Sequence, residues 1–166
     1  FVWLLVLMFS ATITGTIITR YENAFAAVPL LVSFIPMLMD TGGNCGSQSS
    51  TLIIRGLALD EIKFKDIFRV IFKEFRIALL VGIGLAIANG IRIFIMYKDL
   101  KMAIVIALSL SLIVIIAKII GCTLPLFAKK LHMDPAIMAS PLITTVVDTC
   151  SIMIYFSIAT RVFTLS

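Results

Sequence analysis

Residues 102–128 read Met-Ala-Ile-Val-Ile-Ala-Leu-Ser-Leu-Ser-Leu-Ile-Val-Ile-Ile-Ala-Lys-Ile-Ile-Gly-Cys-Thr-Leu-Pro-Leu-Phe-Ala, an apolar run broken by a single charge, Lys118. As a helix rising 1.5 Å per residue, this run reaches about 40 Å. The hydrocarbon core of a bilayer is roughly 30 Å thick. In water the segment would have to be covered on every side, whereas in lipid it need not be. The rest of the chain has the same character. Hydrophobic residues make up 61% and charged residues only 14%, against roughly 25% charged in a typical soluble domain. The mean hydropathy is +1.15. The fold class is therefore all-α: a single-domain, polytopic membrane protein with about five transmembrane helices per subunit and an amphipathic interfacial segment.

Working outward, a short turn at Tyr97-Lys98-Asp99 precedes this fourth span, and the third covers Ile77 to about Met96. Gly82, Gly84 and Gly90 are its expected close-packing points, and Arg92 can snorkel to an interface. Before it, residues 60–76 carry Ile67, Val70, Ile71, Glu74 and Phe75 at helical spacing. They read as an amphipathic helix at a membrane surface, running on into the span. After the fourth span, Lys129-Lys130-Leu131-His132 forms a basic turn, and Asp134-Pro135 has the form of an N-cap followed by Pro in the first helical turn. A fifth span follows to about Thr160.

The first span runs from Phe1 to about Thr19, with Ser10, Thr12, Thr14, Gly15 and Thr16 suited to helix–helix contact. The second is anomalous. Between Glu22 and Arg55 the only charge is Asp40, and one straight helix would measure about 48 Å. Pro29, Pro36 and the glycines after Asp40 predict a long, tilted, kinked or locally broken helix. Lys118, inside the fourth span, is expected to reach an interface, a polar cavity or a counter-ion.

The formal net charge is +5, but Lys and Arg cluster between the apolar runs and form no single basic patch. No nucleic-acid partner is expected; lipid is. The Lys/Arg bias places the N-terminus in the cytoplasm and the C-terminus outside, in a multi-pass protein of the cell membrane. The chain opens inside an apolar run without an initiator Met, so we expect a segment of a longer protein with its soluble parts upstream. Cys45, Cys122 and Cys150 suggest no disulfide framework and read as small buried residues.

Two carboxylates, Asp40 and Asp148, lie deep within apolar spans. A charge there costs about 2.5–3.5 kcal/mol on insertion scales, so each needs a partner, water or a proton. Ser140, Pro141, Thr144, Asp148, Ser151 and Tyr155 fall on one helical face, and Pro141 frees a backbone carbonyl near position 137. In the second span Asp40, Asn44, Ser47, Thr51 and Arg55 repeat at three- or four-residue steps, beside Gln48. Gly42, Gly43 and Gly46 allow close approach by a backbone or a hydrated ion. The two polar stripes are expected to face one another across a wet path. Asp148, Thr144, Ser140, Asp40 and Asn44 are the candidate ligands, with Pro141, Ser151, Gly43, Ser47 and Thr51 lining the path.

These are hard oxygen donors. The lone His132 lies in a turn and the cysteines do not cluster, which disfavours Zn²⁺ and Cu⁺. One or two carboxylates with hydroxyls and carbonyls suit a mostly hydrated Mg²⁺ better than a dry Ca²⁺ cage. Mn²⁺, Co²⁺ and Ca²⁺ remain alternative cargo. Asp148 as a proton or Na⁺ relay in an exchanger, or as a structural hydrogen-bonding residue, also remains open. Asp40-Thr41-Gly42 resembles an aspartic-protease triplet, partly echoed at Asp148-Thr149, but lies on an apolar helix. An intramembrane aspartyl enzyme is the weakest rival.

The run Pro36-Met37-Leu38-Met39-Asp40-Thr41-Gly42-Gly43-Asn44-Cys45-Gly46-Ser47-Gln48-Ser49-Ser50 resembles the MgtE family of magnesium transporters. The run from Asp134-Pro135 to Pro141-Leu142-Ile143-Thr144-Thr145-Val146-Val147-Asp148 is similar to that family's last transmembrane helix. The resemblance spans essentially the whole chain, as the family's transmembrane pore domain. It implies a homodimer with five helices per subunit and a pore at the dimer axis. It also implies a hydrated Mg²⁺ near Asp148, with Thr144 and Ser140 matching positions that line the site. Typical members carry cytoplasmic domains upstream, including a CBS pair that senses Mg²⁺. The expected function is non-enzymatic, channel-like Mg²⁺ uptake. A divalent ion crossing 100 mV gains about 4.6 kcal/mol, and the chain has no Walker-type motif.

Overall fold

In the computed structural model of the chain, the described residues are 2–164, without the side chains of residues 2, 3, 6, 23–25 and 137–141. Every element among them is helical. The α-helices are α1 (Val2–Arg20), α2 (Glu22–Ala27), α3 (Ile35–Ala58), α4 (Ile67–Tyr97), α5 (Leu100–Lys130) and α6 (Pro135–Phe163). Two 3₁₀ turns, Pro29–Phe34 and Phe64–Asp66, join α2 to α3 and lead into α4.

The anomalous second span is broken, and the break falls at the first proline. Pro29 opens the 3₁₀ turn, while Pro36 sits in the first turn of α3, where its missing N–H is not required. The glycines do not break the chain. Gly42, Gly43 and Gly46 lie inside the continuous helix α3, because its neighbours come too close for side chains. A Cβ on Gly42 would stand 2.8 Å from the Ile113 Cγ2, and one on Gly46 would stand 2.9 Å from the Ile143 Cγ2.

The hub is α5, which packs against α3, α4 and α6, while α1 lies against α6. Val105, Ile106, Leu110, Ile113, Val114 and Ala117 form its buried spine. The second half of α1 is expected to make helix contacts, and it does so on one side only. Ser10 is buried and Thr14 Oγ1 lies 3.4 Å from Thr149 Oγ1 of α6. Thr12 and Thr16 are exposed, and their hydroxyls donate to the carbonyls of Met8 and Thr12.

Among the described residues, three stretches, Phe64–Tyr97, Leu100–Lys130 and Leu142–Phe163, are long and apolar enough to cross a bilayer. The chain between the third and fourth spans turns where expected: Lys98 ends α4 in the left-handed region at φ 54°, and Asp99 caps α5 through Met102 N at 3.1 Å. Asp134 caps α6 through Ala136 N at 2.8 Å, with Pro135 as its first residue. The amphipathic segment does continue into the third span as one helix, α4. Phe68 and Phe72 remain outside, 83% and 64% exposed, while Val70 and Glu74 turn inward.

Candidate ion path

The conformation of α3 separates its residues into two faces. At 3.6 residues per turn, Asp40, Asn44, Ser47 and Thr51 share one side. Asp40, Asn44, Gln48 and Thr51 are exposed and Ser47 is half-buried. The opposite side is small and buried: Gly42, Cys45, Gly46, Ser49 and Gly56. That back face lies in the groove between α5 and α6, so the polar face turns away from the helices of its own chain.

On α6, Thr144 and Asp148 are both half-buried. Thr144 comes beside α3, where a Cβ on Gly43 would meet its Cγ2 at 3.7 Å. Asp40 lies about one turn before Gly43 on α3, as Asp148 lies about one turn after Thr144 on α6. The two carboxylates picked out from separate spans thus share one neighbourhood, along with Gly43 and Thr144. A pair of like charges there is stabilised by a cation or by water. Among the described residues no three His, Cys, Asp or Glu side chains converge as a metal cluster. The oxygen donors at hand are carboxylate, hydroxyl and amide. Ser140 and Pro141 lie outside the residues whose side chains are described.

The α6 stripe does not continue past Asp148. Ser151 is only 1% exposed, and its hydroxyl donates to the Val147 carbonyl at 2.7 Å. It faces Gly42 and belongs to the packing of α6 on α3, not to the face that carries Thr144 and Asp148. Tyr155 is also buried, and its hydroxyl donates to the Leu31 carbonyl at 2.8 Å. The broken segment before α3 therefore covers this end of the stripe.

A second polar group was not anticipated. Lys118, expected at an interface, a cavity or a counter-ion, finds the last. Its ammonium lies 3.3 Å from Glu74 Oε2 and donates to Ser49 Oγ at 3.0 Å, while the Ser49 hydroxyl donates to Glu74 Oε2 at 2.6 Å. All three side chains are buried. A clue to Glu74 was present: it is a carboxylate at helical spacing with Val70 and Ile71, on the apolar side of its segment. Nothing singles out Ser49 from the serines around it.

The helices place Asp40 and Asp148 beside an exposed polar helix face, in a bundle whose described residues include three stretches long and apolar enough to cross a membrane. That combination defines a class of polytopic membrane protein that handles cations. Residues 35–158 match the model of the MgtE family, described as divalent cation transporter, and the chain belongs to that family. It is 40% identical over 158 residues to "Magnesium transporter MgtE" of Bacillus subtilis. It is 36% identical over 157 residues to the protein of the same name from Thermus thermophilus. The Enterococcus faecalis protein of that name is 31% identical over 157 residues. Each alignment covers 95% of this chain and 35% of the relative, so the chain spans about a third of the length of those relatives.

Proposed function

We propose that this chain is the ion-conducting part of a Mg²⁺ transporter, and that the cation moves between the outward face of α3 and the Thr144–Asp148 face of α6. The observation that carries this reading is the packing of α3 on α6 where Gly43 lies against Thr144, at the edge of the exposed polar face that holds Asp40 and Asn44. Polar side chains at that depth are incompatible with lipid. The reading therefore assigns the face to a hydrated passage completed by a second copy of the chain, with five spans per subunit. The N-terminus is cytoplasmic and the C-terminus outside. Asp40 and Asn44 contribute to attracting the ion, and Ser47, Thr51 and Gly43 line the passage. Mg²⁺ retains much of its water shell, so carboxylate and hydroxyl oxygens act mainly on bound water.

The membrane potential drives the ion. In liposomes holding the purified protein, Asp148→Asn is expected to cut Mg²⁺ uptake at least about tenfold, a change equivalent to about 1.4 kcal/mol. Uptake equal to the unsubstituted protein would remove Asp148 from the path. Uptake that requires a proton or Na⁺ gradient under voltage clamp would replace the channel by a coupled exchanger.

A further inference from the structure

We propose that Glu74 and Lys118 are positioning residues for transport: through Ser49 they fix the rotation of α3, and with it the outward setting of Asp40, Asn44, Ser47 and Thr51. The inference rests on reading that face as the conduit.

Ser49 lies diametrically behind the polar face. At about 100° per residue it stands roughly 180° from Asp40 and 160° from Thr51. Leu38 and Ile53 anchor the two ends of the back face in the core, but the stretch between them has little to resist a local twist. Gly42 and Gly46 present no side chains that interlock with α5 and α6, and the backbone of Gly46 rests directly against Gly121. Such a smooth contact brings helices close but is weakly directional. The Ser49 hydroxyl supplies the missing direction: it donates to Glu74 Oε2 at 2.6 Å and accepts from Lys118 Nζ at 3.0 Å. Only a group able both to donate and to accept can occupy that position, which a hydroxyl does and a methyl does not.

Joining α4 to α5 does not require Ser49. Gly82 of α4 already lies against the Ser111 backbone of α5, a Cβ there standing 3.3 Å from the Ser111 carbonyl oxygen, and Ser111 Oγ donates to Gly82 O at 3.3 Å. The ion pair spans those two helices, and the serine ties α3 to both. All three members are nearly sealed from solvent, where directional polar contacts hold geometry most firmly. Glu74 has a second effect, because it neutralises an ammonium placed behind a cation path.

The native thiol of Cys45 reports rotation. It is 7% exposed and sits about 140° from Asp40 on the same helix. The test uses the protein with Cys122→Ala and Cys150→Ala, reconstituted in liposomes, with Ser49→Ala compared against the parent. Two quantities are read: the rate of Cys45 labelling by a water-soluble maleimide, and Mg²⁺ uptake against Mg²⁺ concentration. In Ser49→Ala protein that elutes as folded, Cys45 labelling rises and uptake falls, each on the order of tenfold. Lys118→Arg, which keeps the charge but shifts the donor, gives the same direction more weakly and serves if Ser49→Ala does not fold. Cys45 that stays protected in a folded Ser49→Ala or Lys118→Arg protein overturns the clamp, whatever happens to uptake. Faster Cys45 labelling with unchanged uptake overturns its role in transport. Failure of the conduit reading is seen separately, as unaltered uptake in Asp40→Asn and Asn44→Ala proteins.

Discussion

Gly46 of α3 and Gly121 of α5 meet backbone to backbone: a Cβ on Gly121 would stand 2.8 Å from the Gly46 carbonyl carbon and 2.9 Å from its Cα. Neither backbone can swing aside as a side-chain tip does. Gly121→Ala is therefore expected to force α3 and α5 apart, at the upper end of the roughly 1–3 kcal/mol typical of overpacking. Gly43→Ala, meeting only the Thr144 methyl at 3.7 Å, is expected to cost far less. Thermal unfolding midpoints in detergent should rank the two in that order; equal midpoints would show that the α3–α5 contact yields easily.

Asp40 and Asp148 flank the same α3–α6 contact, at Gly43 and Thr144, so their contributions to holding a divalent ion should not be additive. Asp40→Asn is expected to weaken the apparent Mg²⁺ affinity more in the unsubstituted protein than in the Asp148→Asn background. The difference should fall within about 0.5–3 kcal/mol. Half-saturation of uptake in the four proteins of the cycle measures it. Strict additivity would place the two carboxylates at independent points.

Tyr155→Phe removes the buried hydrogen bond to the Leu31 carbonyl and little else. A loss of about 1 kcal/mol of stability is expected, visible as a lower unfolding midpoint. The half-saturating Mg²⁺ concentration should hold, because Tyr155 lies buried among the helices of the chain. A shift in that concentration instead would extend the ion path past Asp148.

Asp134→Ala deletes the N-cap of α6, whose side chain accepts from Ala136 N. A cost of about 1 kcal/mol is expected, with Asp134→Asn nearly neutral. Equal loss in both variants would point to the charge of Asp134 in place of its capping geometry.

Much of the helical layout was legible because lipid imposes a simple length rule, as in the apolar run of α5, where Lys118 is the single charge between residues 102 and 128. The turns at Lys98-Asp99 and Asp134-Pro135 were legible because local backbone chemistry marks them. The glycines after Asp40 were harder. Sequence spacing shows only that a side chain is missing, and Gly46 meeting Gly121 is a relation across 75 residues. In the candidate site, Asp40 and Asp148 stood out as carboxylates in apolar spans, and the helices that carry them pack together. Ser151 sits about one helical turn beyond Asp148, yet it is covered by α3, because periodicity groups residues without saying what lies opposite. Lys118 announced a need for a partner, but its partners came from two other helices.

Glu74 and Lys118 are separated by 44 residues along the chain. During synthesis the carboxylate is therefore made before the ammonium that neutralises it exists. A nascent protein halted ahead of α5 holds an unmatched acid in an otherwise apolar setting, a costly state in lipid. Arrival of α5 cancels that charge and ties down Ser49 in the same event. The ion pair thereby links completion of the bundle to translation of its central helix.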